Sequence, residues 1–167
     1  MSRLGDLYDR DFMLWTQEQS AALRRAKGAN LPLDWDNLAE EIESLGISQR
    51  HGLRSQVTRI LRHLLKLQVS AATEPRAGWR TTIREARTEI EPLLEDSPSL
   101  VREVDGLIRK QSRAAARLAA DDLERHGELG DETLDRLRQA SFTAEQVLAE
   151  DWFPAAPGRP AGGGAGK

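Results

Sequence analysis

The charges on either side of Gly46 are sorted by sign, and this constrains the fold more than any other feature of the chain. Asp34, Asp36, Glu40, Glu41 and Glu43 fall within 34–43 with no base among them. Arg50, Arg54, Arg59, Arg62 and Lys66 then follow between Ser44 and Thr73 with no acid. In the first block Trp35, Leu38, Ile42 and Leu45 share one helical face; in the second, Leu53, Val57, Ile60, Leu61, Leu64 and Leu67 form a stripe. Glycine is a favoured left-handed helix stop. The expectation is a hairpin: an acidic helix from an Asp34 cap to Gly46, then a basic helix from about Ser48. The two would lie antiparallel, opposite charges attracting and apolar sides covering each other.

The remaining periodicities are also helical. Tyr8, Phe12, Trp15, Gln19, Ala22 and Ala26 predict one stripe on a helix from about Asp9 to Lys27, ended by Gly28 and the break at Asn30-Leu31-Pro32. Trp79, Ile83, Ala86, Ile90 and Leu93 predict a fourth helix, in which Pro92 removes a backbone donor and must kink or restart it. Ser97-Pro98 opens a fifth helix reaching about Arg125, with the small residues Ala114 to Ala120 placed near the bundle centre. Short helices are expected at Asp131–Gln139 and after Thr143, which has capping-box spacing to Gln146. Trp152 and Phe153 are expected to fold back as an apolar plug. The fold class is therefore all-α: a single-domain bundle of four to five main helices with short C-terminal helices over 1–153, followed by a disordered Pro/Gly/Ala-rich tail over 154–167.

Composition excludes several classes. The 167 residues include no cysteine, which removes disulfides, thiolate zinc sites and cysteine nucleophiles, and fits a reducing cytoplasm. A net charge of −3 does not recruit nucleic acid globally. No apolar run approaches the ~18 residues of a membrane span, and Met1 to Tyr8 does not read as a secretion signal.

Several short motifs occur in a recognisable order: Leu7-Tyr8, Asp11-Phe12, Trp15, Asp34-Trp35, Leu38, Glu41 through Gly46, His63 through Lys66, Trp79, Thr82-Ile83, Asp96 through Leu100, and Thr143 with Glu145 through Leu148. Over about 7–153 the chain resembles the bacterial domain-of-unknown-function family numbered twenty-nine. The resemblance implies a helical domain of bacterial origin and no reaction. The sequence departs from the family's pattern near Leu67, where a second aromatic is expected.

Two constellations carry chemistry. Glu41 flanks one apolar stripe of the hairpin and His63 the other. Brought together, a carboxylate and an imidazole serve acid–base catalysis, and they are the catalytic candidates. The bland alternative, a boundary histidine hydrogen-bonded for structure, is favoured, because a metal site needs three or four ligands and no His-x-x-x-His or Glu-x-x-His pair exists. Arg54, Arg59, Arg62 and Lys66 are the candidate phosphate-binding strip; against that, the same residues make an ordinary salt-bridged face beside the acidic helix. Arg80, Arg84 and Arg87 are expected as an exposed helix face, and Trp15, Trp35 and Trp79 as core anchors. No cofactor, metal or complete catalytic set is implied. The expectation is a cytoplasmic, non-enzymatic interaction or regulatory protein with a protein partner or self-association. A nuclease-like enzyme or nucleic-acid-binding protein is the alternative.

Overall fold

A computed structural model describes residues 3–29 and 31–157. Asn30 of the expected chain break, and 158–167 of the expected disordered tail, lie outside them. Among the described residues there are seven α-helices, one 3-10 helix and no strand. The helices are α1 (Arg3–Arg10), α2 (Phe12–Ala26), α3 (Trp35–Val69), α4 (Arg76–Asp96), α5 (Val104–Arg125), α6 (Asp131–Gln139) and α7 (Ala144–Leu148), with the 3-10 helix at Pro98–Glu103. The protein is all-α, as its periodicity requires. The chain groups into two compact units, one of residues 1–54 with 90–103 and one of residues 55–89 with 104–167.

The expected hairpin at Gly46 does not form. α3 runs unbroken from Trp35 to Val69, and positive φ angles occur only at Gly28 and Gly127 among the described residues. The missing side chain serves a close approach instead. A β-carbon at Gly46 would overlap Thr16 Oγ1 and stand 3.0 Å from Met13 Sδ. The acidic segment therefore lies against α2, and its charges pair there, Glu43 with Arg24 and Asp36 with Lys27, both at 2.5 Å.

In the first unit the long N-terminal helix expected from Asp9 is divided at Asp11. Asp11 adopts an extended φ of −160° and caps α2 by accepting from the Leu14 N–H at 2.9 Å. The same carboxylate accepts from the Ser99 N–H at 2.7 Å and the Ser99 hydroxyl at 2.9 Å. Ser97, fully buried, accepts from the Met13 N–H at 3.0 Å. The Asp11-Phe12 and Ser97-Pro98-Ser99 motifs thus satisfy each other's orphan donors, and fix the start of α2 against the 3-10 helix. The buried side of α2 is Met13, Thr16 and Ser20, not the expected Tyr8–Phe12–Trp15 stripe. The short Thr16 side chain permits the approach to Gly46.

The second unit buries the predicted stripe Val57, Ile60, Leu61, Leu64 and Leu67 with Ile83, Ala86, Ala115, Ala119 and Leu123. Each large side chain fully removed from water contributes about 2 kcal/mol. α6 spans the expected residues, and α7 opens on the expected capping box, Thr143 and Gln146 bonding reciprocally. α4 passes through Pro92 without a break.

Arg87 departs from the expected exposed face. It is only 7% exposed. Its guanidinium donates to the carbonyls of Val147, Glu150 and Gln146, each at 2.9 Å, and of Trp152 at 3.0 Å. These include carbonyls at the C-terminal end of α7, where the partial negative charge of a helix terminus favours a cation. Phe153 sits 5.1–5.3 Å from the guanidinium carbons of Arg80, Arg84 and Arg87. The segment does fold back, anchored on the buried Arg87 guanidinium.

Candidate functional site

Glu41 and His63 do not meet. They stand about six turns apart on α3, because the helix continues where a reversal was expected. Glu41 is exposed. His63 is partly buried, and its Nδ1 lies 2.8 Å from the Arg59 carbonyl. The carbonyl accepts, so Nδ1 carries the proton. Burial pushes the ring's pKa below the ordinary value, and nearby Lys66 and Arg62 push it the same way against the Arg59 hydrogen bond.

The basic strip is engaged by acids from other helices. Arg50 forms a two-point pair with Glu103 at 2.7 and 2.8 Å within the first unit. In the second, Arg59 reaches Glu85 at 3.1 Å. Arg62 grips Asp122 at 2.8 and 2.6 Å, and Lys66 donates to the same carboxylate at 2.9 Å. Arg125 adds a contact to Asp122 at 2.7 Å. Arg54 is exposed on the first unit's part of α3.

Asp122 is the hub that the sequence did not announce. Burial pushes its pKa up, but hydrogen bonds from Arg62 and Lys66 outweigh this and hold the carboxyl well below the usual range. Burial lowers the Lys66 pKa, opposed by Asp122. The Lys66 ammonium also lies 5.0 Å from the Trp79 ring centroid. The sequence signal for Asp122 is its spacing: it follows Ala115 and Ala119 on the buried side of α5, an acid at a seam position. A cavity of about 750 Å³ opens here, lined in part by Arg62, Lys66, Trp79, Asp122, His126 and Glu128. Both signs of charge line it, and Glu128 is itself bonded by the Ser70 hydroxyl. Arg62 and Lys66 are both committed to Asp122. Among the described residues no group of three His, Asp or Glu side chains converges to hold a metal ion.

The first unit presents a different surface. Thr16 and Met13 lie at Gly46, while Lys27 reaches Asp36, so α2 runs antiparallel to α3. Leu38 and Leu45 are 40% and 49% exposed, with Ile42 partly exposed between them. On α2, Trp15 and Ala22 are partly exposed, and Tyr8 of α1 is 52% exposed. At about 100° per residue, Leu38, Ile42 and Leu45 sit roughly a quarter turn from the Ala39 and Gly46 seam of α3, whereas Trp15 and Ala22 sit well over a third of a turn from the Met13, Thr16 and Ser20 seam of α2, in the same rotational sense. For antiparallel helices, turns in one sense open on the same side of the pair. The α3 stripe therefore faces that side, and the α2 stripe flanks it, turned further outward. Tyr8, Phe12 and Trp15 cluster at its end with ring centroids 4.9–5.8 Å apart. Among the described residues every exposed large apolar side chain except Leu118 belongs to this unit.

Fold and site together define an all-helical protein with a partly exposed apolar stripe on α3 and an ionic cluster gathered on Asp122. The family model described as "Domain of unknown function DUF29" matches residues 7–153, and the chain belongs to that family. It is similar to an alpha-helical protein of unknown function from Rhodospirillum rubrum ATCC 11170, known from its crystal structure. The identity is 28%, with 87% of this chain and 90% of that chain covered, at a TM-score of 0.65. No curated protein matches. No helix among the described residues is long and apolar enough to cross a membrane.

Proposed function

We propose that this chain is a non-enzymatic interaction module of the bacterial cytoplasm, docking through the apolar face of its first unit. The carrying observation is that Leu38, Ile42 and Leu45 repeat at helical spacing and stay partly exposed, Leu38 and Leu45 at 40% and 49%, while the second unit buries its stripe almost completely. A contiguous apolar face of this kind on a folded helical unit favours burial against another protein. The absence of cysteine fits a reducing compartment. The alternative nucleic-acid reading loses support from the ion pairs, because Arg59, Arg62 and Lys66 already spend their charge on Glu85 and Asp122. The test is recovery of the tagged protein from its host beside a Leu38→Glu/Leu45→Glu variant, with complexes fixed by brief cross-linking. The native chain is expected in a complex and the variant alone. A native chain recovered only as free monomer would sink the proposal.

A further inference from the structure

We propose that the second unit binds a short polyanion, an oligophosphate, in the cleft between α5 and α6. The site is independent of the docking face, which belongs to the first unit. A cavity of about 700 Å³ opens there, within the range that small ligands occupy. Arg109, Arg113, Arg117 and Arg138 line it, and no acid does. The small side chains of Ala116 and Ala120 leave room on α5, while Leu134 and Leu137 line the cavity from α6.

Arg109, Arg113 and Arg117 recur every fourth residue, so they share one flank of α5 over about 12 Å of its axis. From Gly106 to Ala120 the helix carries these three and Lys110, and no acid. All three arginines are exposed, and among the described residues none joins an ion pair. Arg138 meets Asp135 at 3.5 Å. By contrast, Arg59 and Arg62 are engaged by carboxylates, and Arg76 and Arg87 by carbonyls. Like charges along one flank repel, and an anion set among them replaces that repulsion with attraction. Each guanidinium is a planar fork that matches phosphate oxygens in pairs.

The acids nearby set the ligand's length. Asp105 stands one turn before Arg109, and Asp121 one turn after Arg117 with Glu124 beyond it; α6 carries Asp131, Glu132 and Asp135. Arg113, at the centre, has no acid within one turn on either side. A long strand of nucleic acid would run past Arg109 and Arg117 onto those carboxylates, whereas a few linked phosphates end before them. No aromatic ring lines the cavity, so no base finds a surface to stack on.

Isothermal titration calorimetry of the full chain with inorganic tripolyphosphate in magnesium-free buffer tests this, with circular dichroism confirming that each variant remains helical. Saturable binding is expected. Arg113→Gln is expected to weaken it about tenfold or more, and Arg113→Lys to recover only part of the loss. Arg25→Gln, which removes an exposed arginine of the first unit, is the control and is expected to leave the affinity unchanged. Orthophosphate and citrate, at matched ionic strength, are expected to bind more weakly than tripolyphosphate. No binding of tripolyphosphate, or equal losses in Arg113→Gln and Arg25→Gln, overturns the site. Citrate binding as tightly as tripolyphosphate overturns phosphate as the recognised group. A single-stranded RNA that binds more tightly than tripolyphosphate, and loses that affinity in Arg113→Gln, overturns the short ligand in favour of a nucleic acid.

Discussion

Gly46 and Thr16 touch where α3 crosses α2, and no side chain larger than hydrogen fits at 46 without displacing the Thr16 hydroxyl. That hydroxyl is itself anchored, donating to the Met13 carbonyl at 2.8 Å. The glycine holds two helices together; it does not end one.

Gly46→Ala is therefore expected to destabilise the first unit. Alanine is better in a helix by about 1 kcal/mol, but overpacking costs about 1–3 kcal/mol, and the loss prevails. Adding Thr16→Ala removes the colliding oxygen and is expected to recover part of the stability. Urea denaturation of the single and double variants measures both. A double variant no better than Gly46→Ala alone would show that the close approach is not the cause.

Asp122 and Lys66 should respond unequally to removal. Asp122→Ala leaves the ammonium of Lys66, only 6% exposed, without its counter-charge. Breaking such a pair from one side costs about 3 kcal/mol or more. Lys66→Met leaves Asp122 with Arg62 and Arg125 and keeps an unbranched side chain against Trp79, so the expected change is within about 1 kcal/mol. Denaturation midpoints at neutral pH should show the inequality. Equal losses would contradict it.

His63 should impose a pH dependence. Its folded pKa is lowered by burial, with Lys66 and Arg62 adding to the effect and Asp122 opposing it. The unfolded ring takes up its proton near the ordinary value, about 6.5, before the folded ring does. The stability associated with His63 is thus fully present above that pH and declines as the pH falls below it. Between neutral pH and the carboxylate range, His63→Gln is expected to flatten the profile of unfolding free energy. An unchanged slope would contradict the assignment.

Arg87 should control the C-terminal segment. Arg87→Met strands four carbonyls around a buried site, each worth about 1 kcal/mol or more when unsatisfied. The expected result is faster proteolysis within 144–157 and a change in Trp152 fluorescence, with α3 remaining helical. Arg87→Lys offers too few donors to replace the fork and should restore little. Unchanged protection of 144–157 in Arg87→Met would contradict this role.

Local patterning was enough to read the helices of the second unit. The Leu64 stripe, the bounds of α6 and the Thr143–Gln146 cap depend on neighbours in sequence, and each stands where periodicity put it. Gly46 was misread because a glycine that stops a helix and one that admits another helix look alike in one dimension; only Thr16 distinguishes them. With the hairpin went the Glu41–His63 pairing and the expected burial of Leu38 and Leu45. Asp122 and Arg87 were hidden for a related reason. Their partners lie dozens of residues away: the seam spacing after Ala115 and Ala119 turns Asp122 inward but does not name Arg62 and Lys66, and no spacing names the carbonyls on which the Arg87 guanidinium closes.

The docking face is open to a direct chemical measurement because the chain contains no cysteine. A Leu38→Cys protein, added to extract of its host, is expected to react with a maleimide more slowly than it does in buffer, because a partner covers the stripe. Ile47→Cys, on the opposite side of α3 and 40% exposed, is the control and should react alike in both. Labelling of Leu38→Cys that extract leaves unchanged would contradict docking through this face.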